Sequence, residues 1–418
     1  MKQRPVPEES LDAMVAILDQ VRRGHAHSRS QIIERTGLSR AIVAQRVGEL
    51  LSRGFLVESV APSTGGRPPR QLEFRADAGH LLVVDIGATS IDTAVADATG
   101  RILARLGEPA DVASGPEQIL SRVEVLFDHL IAEHQPAGEL WGLGIGVPGP
   151  VEFRTGHLIS PPIMPGWDGY PVRERFTKRH GVPVWVDNDV NIMALGEWRA
   201  GVARGHRNFI FVKVGTGIGS GIVSNGLIHR GAQGSAGDIG HIQVLGETEE
   251  VCRCGKVGCL EALAGGAAIA RDGAAVALAG RSSHLATILD RNGDVTAGDV
   301  SAAASSGDAA ALDLLQRSAR LLGQTLAGLV NFFNPSLILI GGGVAGAGDT
   351  YLATVREIIY ARSAPLATRD LVVQLSRLGN RAGVTGAATM VLDQLLSAEH
   401  LGRWIDSGQP ASLEIAAA

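Results

Sequence analysis

The chain has 418 residues, 45% of them hydrophobic, with 54 glycines, which is enough for two or three domains around a large core. Its three cysteines are too few for a disulfide framework and point to a reducing compartment in which thiolates bind metal. The net charge of −5 conceals an asymmetry: residues 1–80 hold twelve Lys and Arg against nine Asp and Glu, a net +3, while the remainder holds 26 against 34, a net −8. Met1-Lys2-Gln3-Arg4-Pro5 leads into no apolar signal-peptide core. The most apolar region, Leu326 to Val344, is interrupted by Asn331, Asn334 and Pro335, so a cytoplasmic chain without a membrane span is expected.

The basic head begins with a helical stripe of Leu11, Met14, Val15, Ile17 and Leu18. Ser28 to Thr36 predicts a short helix that ends at Gly37, and Ser39 stands as N-cap for a second helix from Arg40 to about Arg53. Val43, Val47, Leu50 and Leu51 face inward on that helix, and its other face offers Arg40, Gln45, Arg46 and Glu49. This order is that of a helix-turn-helix, whose second helix enters the major groove of double-stranded DNA. Gly54 to Glu58 and Gln71 to Phe74 read as paired strands. Between them Ser63-Thr64-Gly65-Gly66-Arg67-Pro68-Pro69-Arg70 forms a tip whose Arg67 suits a narrow minor groove. The head therefore reads as a winged helix-turn-helix with Ser39, Arg40, Gln45, Arg46 and Arg67 toward DNA, and Glu34, Glu49, Arg22, Arg23 and Arg53 as solvated or paired.

From His80 the pattern changes. Leu81 to Ile86 is a buried strand, Gly87-Ala88-Thr89-Ser90 a small-residue turn and Ile91 to Ala96 a return strand, a hairpin whose amides suit a phosphate, with Asp85 placed to orient a metal-bound water. A helix over Pro116–Glu133 and a strand over Leu140–Ile145 follow. In the loop Ser160 to Trp167, the indole of Trp167 either stacks on a sugar face or packs. Val182 to Asn191 is a strand ending in Asp187-Asn188-Asp189, where a carboxylate can take a proton from a substrate hydroxyl and an Asx cap is the simpler role. Phe209 to Val223 repeats the strand, glycine turn and strand of residues 81–96, with the turn at Gly215-Thr216-Gly217, which fits a duplicated fold that clamps a nucleotide.

The three cysteines stand together as Cys252-x-Cys254-x4-Cys259, eleven residues after His241. One imidazole and three thiolates make the closed set that structural Zn²⁺ prefers. Asp238 and Glu261 flank them, and two carboxylates beside an imidazole suit a polyhydroxylated ligand. Beyond this module, Ala267–Leu289 and Ala309–Phe332 read as amphipathic helices. Leu337–Val344 reads as a strand whose Gly342 and Gly343 can pass close to an adenine. Gly386–Leu396 reads as a last helix, with a mobile Ala-rich tail from about residue 406.

Asp238-Ile239-Gly240-His241 with Cys252-Arg253-Cys254-Gly255-Lys256-Val257-Gly258-Cys259-Leu260-Glu261 resembles the signature of the ROK family of repressors, open reading frames and kinases. Asp238 stands where the family has Glu. Ala88 and Ser90 replace the second glycine and the basic residue of the kinases' Asp-x-Gly-x-Thr loop, and Ile163 replaces an Asn. The resemblance implies an α/β fold: a winged helix-turn-helix (1–79), then a two-lobed actin-like ATPase (ribonuclease H-like) body with a zinc-binding loop. The first lobe would span 80–194 with 383–405 returning to it, and the second 195–382. The resemblance assigns the metal to His241, Cys252, Cys254 and Cys259, and a sugar to Asn188, Asp189, Asp238, His241 and Glu261.

Two functions remain open at this point. One is a sugar-responsive transcriptional regulator, a repressor of carbohydrate genes that acts as a homodimer or homotetramer on a palindromic operator. The other is an ATP-dependent sugar kinase with Asp189 as catalytic base and ATP and Mg²⁺ on Asp85, Gly87, Thr89, Gly215, Thr216, Gly217, Gly342 and Gly343. The appended head favours the regulator.

Overall fold

The computed structural model describes residues 8–60, 70–246, 248–344, 348–408 and 410. The head comprises α1 (Glu8–Arg22), α2 (Arg29–Thr36), α3 (Arg40–Ser52) and the antiparallel pair β1 (Leu56–Val60) and β2 (Arg70–Phe74). Its turn is set by local chemistry. Ser28 caps α2 by accepting the Gln31 N–H, Gly37 ends that helix at φ 71° with its N–H on Ile33 O, and Ser39 caps α3 by accepting the Ile42 N–H. The expected strand at Gly54–Glu58 starts two residues later, because Gly54 (φ +76°) completes the turn after α3. Arg67 and the rest of the tip lie outside the described residues.

The first lobe follows as β3 (Gly79–Ile86), β4 (Ser90–Asp97), β5 (Ile102–Pro109), α4 (Pro116–His134) and β6 (Glu139–Val147). A small ribbon of β7 (Val151–Glu152) and β8 (His157–Leu158) comes next, then α5 (Val172–His180), β9 (Val184–Asn188) and α6 (Asp189–Ala200). Its sheet runs β5-β4-β3-β6-β9, with the hairpin strands antiparallel and the last two parallel. The second lobe opens with β10 (Phe209–Val214), β11 (Ile218–Ser224) and β12 (Leu227–Ile228). It continues through α7 (Leu260–Ala264), α8 (Gly266–Leu278), α9 (Ser283–Asn292), α10 (Ala297–Ser305) and α11 (Ala309–Phe333). It closes with β13 (Leu337–Gly341), α12 (Asp349–Arg362), α13 (Pro365–Thr368) and β14 (Val372–Leu375). The order β12-β11-β10-β13-β14 reproduces that of the first sheet. Finally α14 (Arg381–Leu395) crosses back to the first lobe and α15 (Ala398–Ser407) returns to the head.

Strand alternation decides what each sheet face buries. Leu82, Val84 and Ile86 of β3 pack under α4, while Leu81 and Val83 point the other way toward α14. In β10, Ile210, Val212 and Val214 join the outer core and Phe209 and Phe211 face α6. The helices α6 and α14 lie together between the sheets and approach closely. A Cβ on Gly386 would stand 1.5 Å from Ile192 O, and one on Gly196 2.0 Å from Ala382 O.

Three expectations change. Ala267–Leu289 is two helices, because Gly280 (φ +66°) ends α8 and Ser282 caps α9. The helix over 386–396 is not the last: α15 follows, its Leu401, Trp404 and Ile405 buried at helical spacing. The tail expected from 406 therefore begins inside a helix, and residues 411–418 lie outside the described part. Trp167 is fully buried and donates its indole N–H to Val112 O at 3.2 Å, so it packs and presents no face to a ligand. Among the described residues no single helix is long and apolar enough to cross a membrane.

The head shares its core with the first lobe. Trp404 of α15 meets Phe55 of the head edge-on at 4.9 Å and Trp141 of β6 at 4.8 Å, within one cluster that runs from Met14 to Ile405. Trp404→Ala should remove about 3–5 kcal/mol of stability. Thermal unfolding should then show the head melting ahead of the body, whereas a single unshifted transition would mean that this contact does not seat the head.

Candidate functional site

On the head, Ser39, Arg40 and Gln45 are exposed along α3, together with the small residues Ala41, Ala44 and Gly48. Such a face lets a helix approach base edges closely. Gln45 donates to Glu49 at 3.2 Å, and Arg46 is folded onto Glu49 at 2.6 Å, so Arg46 is half-buried in an intrahelical pair. Arg53 donates to Ile405 O and Arg22 pairs with Asp393, which makes both of them seam residues between head and body.

In the body, the polar ends of the inner strand rows converge on the start of α6. Strand alternation gives Asp85 the face of Leu81 and Val83, Asp187 that of Trp185, and Lys213 that of Phe209 and Phe211. Asp187 is fully buried. Its Oδ1 accepts from the Asn188 N–H and Asn191 Nδ2, and its Oδ2 from Arg230 at 2.7 Å, whose guanidinium lies 3.7 Å over the Phe153 ring. Asn188 caps α6 through Oδ1 and donates Nδ2 to Gly149 O at 2.8 Å, which is the simple Asx role and leaves one amide hydrogen for a ligand. Asp189 is buried and its Oδ2 holds Lys213 Nζ at 2.5 Å.

The electrostatics follow from burial. Desolvation pushes the Asp85 carboxyl up to about 7, Lys213 pulls it back, and Asp189 and Asp92 push it further. Asp92 sits directly across from Asp85 in the hairpin and is raised in turn by burial, with Arg105 offsetting. Burial alone would lower the Lys213 ammonium, but Asp189 and Asp85 outweigh it and hold its pKa above the ordinary value. Asp85 Oδ1 meets no partner among the described residues, and its Oδ2 packs where a Cβ on Gly383 of α14 would fall.

The glycine turns carry structural constraints of their own. Gly87 N–H binds Ser90 O and Gly215 N–H binds Gly217 O, while the Gly215 and Thr216 carbonyls accept from the start of α8. Gly342 (φ +90°) lies against the Val214 backbone, and Gly343 faces open space.

His241, Cys252, Cys254 and Cys259 do come together, their ligand atoms all within 4.8 Å of one another. Cys252 Sγ is 3.5 Å from His241 Nδ1, and Cys254 Sγ is 3.8 Å from Cys259 Sγ. A tetrahedral Zn²⁺ with bonds of roughly 2.3 Å to sulfur and 2.0 Å to nitrogen has edges of about 3.5 and 3.8 Å, so the set fits this ion. Gly255 (φ +84°) turns the loop between Cys252 and Lys256, and a Cβ on Gly258 would strike Leu245 O at 1.9 Å. With Nδ1 turned to the cysteines, His241 Nε2 lies 4.0 Å from Asp238 Oδ1. Glu261 accepts the Ile218 N–H at 3.1 Å beneath Gly217 and thereby ties the cysteine loop to the second glycine turn. The segment leading to Asp238 touches the first lobe twice, through Arg230 on Asp187 and Gly234 on Val151 O.

Lys213 and Arg230 are absent from the site as read from sequence. The repeat carries a signal for Lys213: Asp85-Ile86-Gly87 and Lys213-Val214-Gly215 occupy equivalent places before their turns, with opposite charge. Arg230 sits in an irregular segment with no pattern to mark it.

The sequence pattern of the ROK family matches residues 81–394. The chain is a member of the ROK family. A glucokinase of Halalkalibacterium halodurans is 38% identical to this ROK protein over 317 residues, 76% of this chain and 96% of that enzyme. The xylose repressor of Caldicellulosiruptor bescii is 30% identical over 373 residues, 88% of this chain and 92% of that protein. Among solved structures, a ROK family transcriptional regulator homologous to the E. coli MLC protein superposes with a TM-score of 0.81 at 26% identity. It covers 96% of this chain and all of that one (100%).

Replacing a thiolate breaks a four-ligand set, so Cys254→Ser should lose one equivalent of zinc per chain by elemental analysis and several degrees of melting temperature; retention of both would rule out the metal clip. The raised Asp85 pKa means that the folded protein keeps a proton that the unfolded chain releases near pH ~4. Stability should therefore fall as pH rises from there through about 7. Asp85→Asn removes that decline: its melting temperature should match wild type at pH 4 and exceed it at pH 8.

Proposed function

We propose that this ROK protein is a sugar-responsive DNA-binding transcriptional repressor of carbohydrate uptake or metabolism genes, acting in the cytoplasm. Residues 1–79 serve as the DNA-binding head, 80–194 with 383–405 as the first lobe and 195–382 as the second. The observation that carries the reading is a helix-turn-helix head built into the same core as the body. The MLC-like regulator covers 96% of the chain and the xylose repressor 88%, whereas the glucokinase match leaves about a quarter of the chain uncovered, which supports the reading.

The kinase alternative draws on the 38% identity to a glucokinase and on Asp189. Against it stands Lys213, whose ammonium already occupies the carboxylate that would accept the substrate proton. A base held in an ion pair is a weak acceptor, and Ala88 and Ser90 thin out the phosphate turn.

In the proposed mechanism, Asn188, Asp189, Asp238, His241 and Glu261 bind the hydroxyls of a sugar. His241, Cys252, Cys254 and Cys259 would hold zinc, which would supply rigidity to the loop and orient the His241 imidazole. Sugar on Asp189 competes for Lys213 and loads the first turn of α6, while sugar on Asp238 draws on the Arg230 segment that bridges the lobes. Closure of the lobes about α6 and α14 then resets the two heads of a homodimer, or of the dimers within a homotetramer, against a palindromic operator read by Ser39, Arg40, Gln45, Arg46 and Arg67.

Duplexes selected from random sequence should reveal a two-fold operator. In fluorescence anisotropy at fixed salt, the cognate sugar from a panel should weaken operator affinity about tenfold, and Asp238→Ala should lose that response. Operator affinity unmoved by every sugar would count against sensing. Asp189-dependent formation of a sugar phosphate from ATP would restore the kinase.

A further inference from the structure

At the seam between head and body lies a groove of about 410 Å³, bounded by α1, α6, β12 and α14; it contains none of the sugar residues and meets the cleft through Arg230, whose guanidinium also holds Asp187. Its walls combine a cationic floor with apolar sides from Leu195, Trp198, Ile228 and Met390. Arg22 is 7% exposed and gives one nitrogen to Asp393, with Asp19 at 3.7 Å, yet its Nε and Nη1 meet no acceptor among the described residues. A guanidinium offers five N–H donors, and leaving two sites unfilled in a buried position is unfavourable unless a ligand fills them. Beside it, Arg23 lies 4.7 Å over the Trp198 ring and pairs with Asp19. Arg199 donates to the Arg22 carbonyl at 3.0 Å. Three arginines thus share two carboxylates. The imbalance registers on Arg199, which burial and then the charges of Arg22 and Arg23 hold down at about 10.

We propose that this groove is a second effector site, for a small phosphorylated metabolite whose phosphate seats on Arg22 and Arg23 while its frame lies against Trp198. A phosphate presents several acceptor oxygens to a planar fork of donors, and it adds the negative charge that Asp19 and Asp393 leave short. The occupant touches α1 of the head and α14 of the body together, so it fixes their relative seat without passing through the cleft.

The test is thermal unfolding of the full zinc-loaded chain in inorganic phosphate and in a hexose monophosphate, with chloride balancing ionic strength and malonate as a carboxylate comparison. Wild type should show a saturable rise of about 2 °C in either phosphate and none in malonate. Arg22→Gln and Arg23→Gln should both lose the rise, Arg23→Gln serving as the variant at a less buried position, and Arg122→Gln, on α4 and paired with Glu108 outside the groove, should keep it. No saturable rise in wild type overturns the proposal. So does a rise that survives in both seam variants, which would put the phosphate on the glycine turns, or an equal rise in malonate. Neither operator nor inducing sugar enters the measurement, so its failure leaves the repressor reading standing.

Discussion

The tight crossing of α6 over α14 is the constraint on which the other parts depend. Main chain meets main chain at Gly196 and Gly386, so the pair has little freedom to slide without losing contact. Each helix has one end in the cleft and one at the seam. α6 begins at Asp189, and in its last turn Arg199 touches Arg22 at the end of α1 and Trp198 touches the following Arg23. α14 begins beside Asp85 and reaches Asp393, which holds Arg22. The two helices therefore span from the cleft to the head as one close-packed unit.

The cleft itself shows how a duplicated fold generates complementarity. Equivalent strand positions bring Asp85 and Lys213 to the inner ends of the two sheets, where burial makes lone charges costly. Asp187 and Asp189 at the end of β9 settle the account locally: Arg230 satisfies the first and Lys213 the second. Both cations come from the second lobe and both carboxylates from the segment joining β9 to α6, so ion pairs tie the two lobes together at the start of α6.

What was legible in the sequence was local. Capping residues, glycine turns and cysteine spacing act over a few residues, and they gave α2, α3, both hairpins and the metal set. What escaped depends on packing between distant segments. Lys213 looks like one polar residue in an apolar strand until the inner face of β10 meets Asp189. Trp167 carries the same composition signal whether it stacks on a ligand or fills a core. Arg22 and Arg23 read as ordinary surface charges until α14 covers one of them. The break at Gly280 was missed because both flanking segments keep a helical apolar pattern.

The edge-on stack of Phe55, Trp404 and Trp141 has a bearing on biosynthesis. Phe55 leaves the ribosome early, whereas its partner in α15 is made roughly 350 residues later. The head can form its own helices as a nascent chain, but its docking surface is missing until α15 has been made. A chain truncated before α15 would carry an unseated reader of DNA, with its grip on a duplex uncoupled from whatever the body has bound.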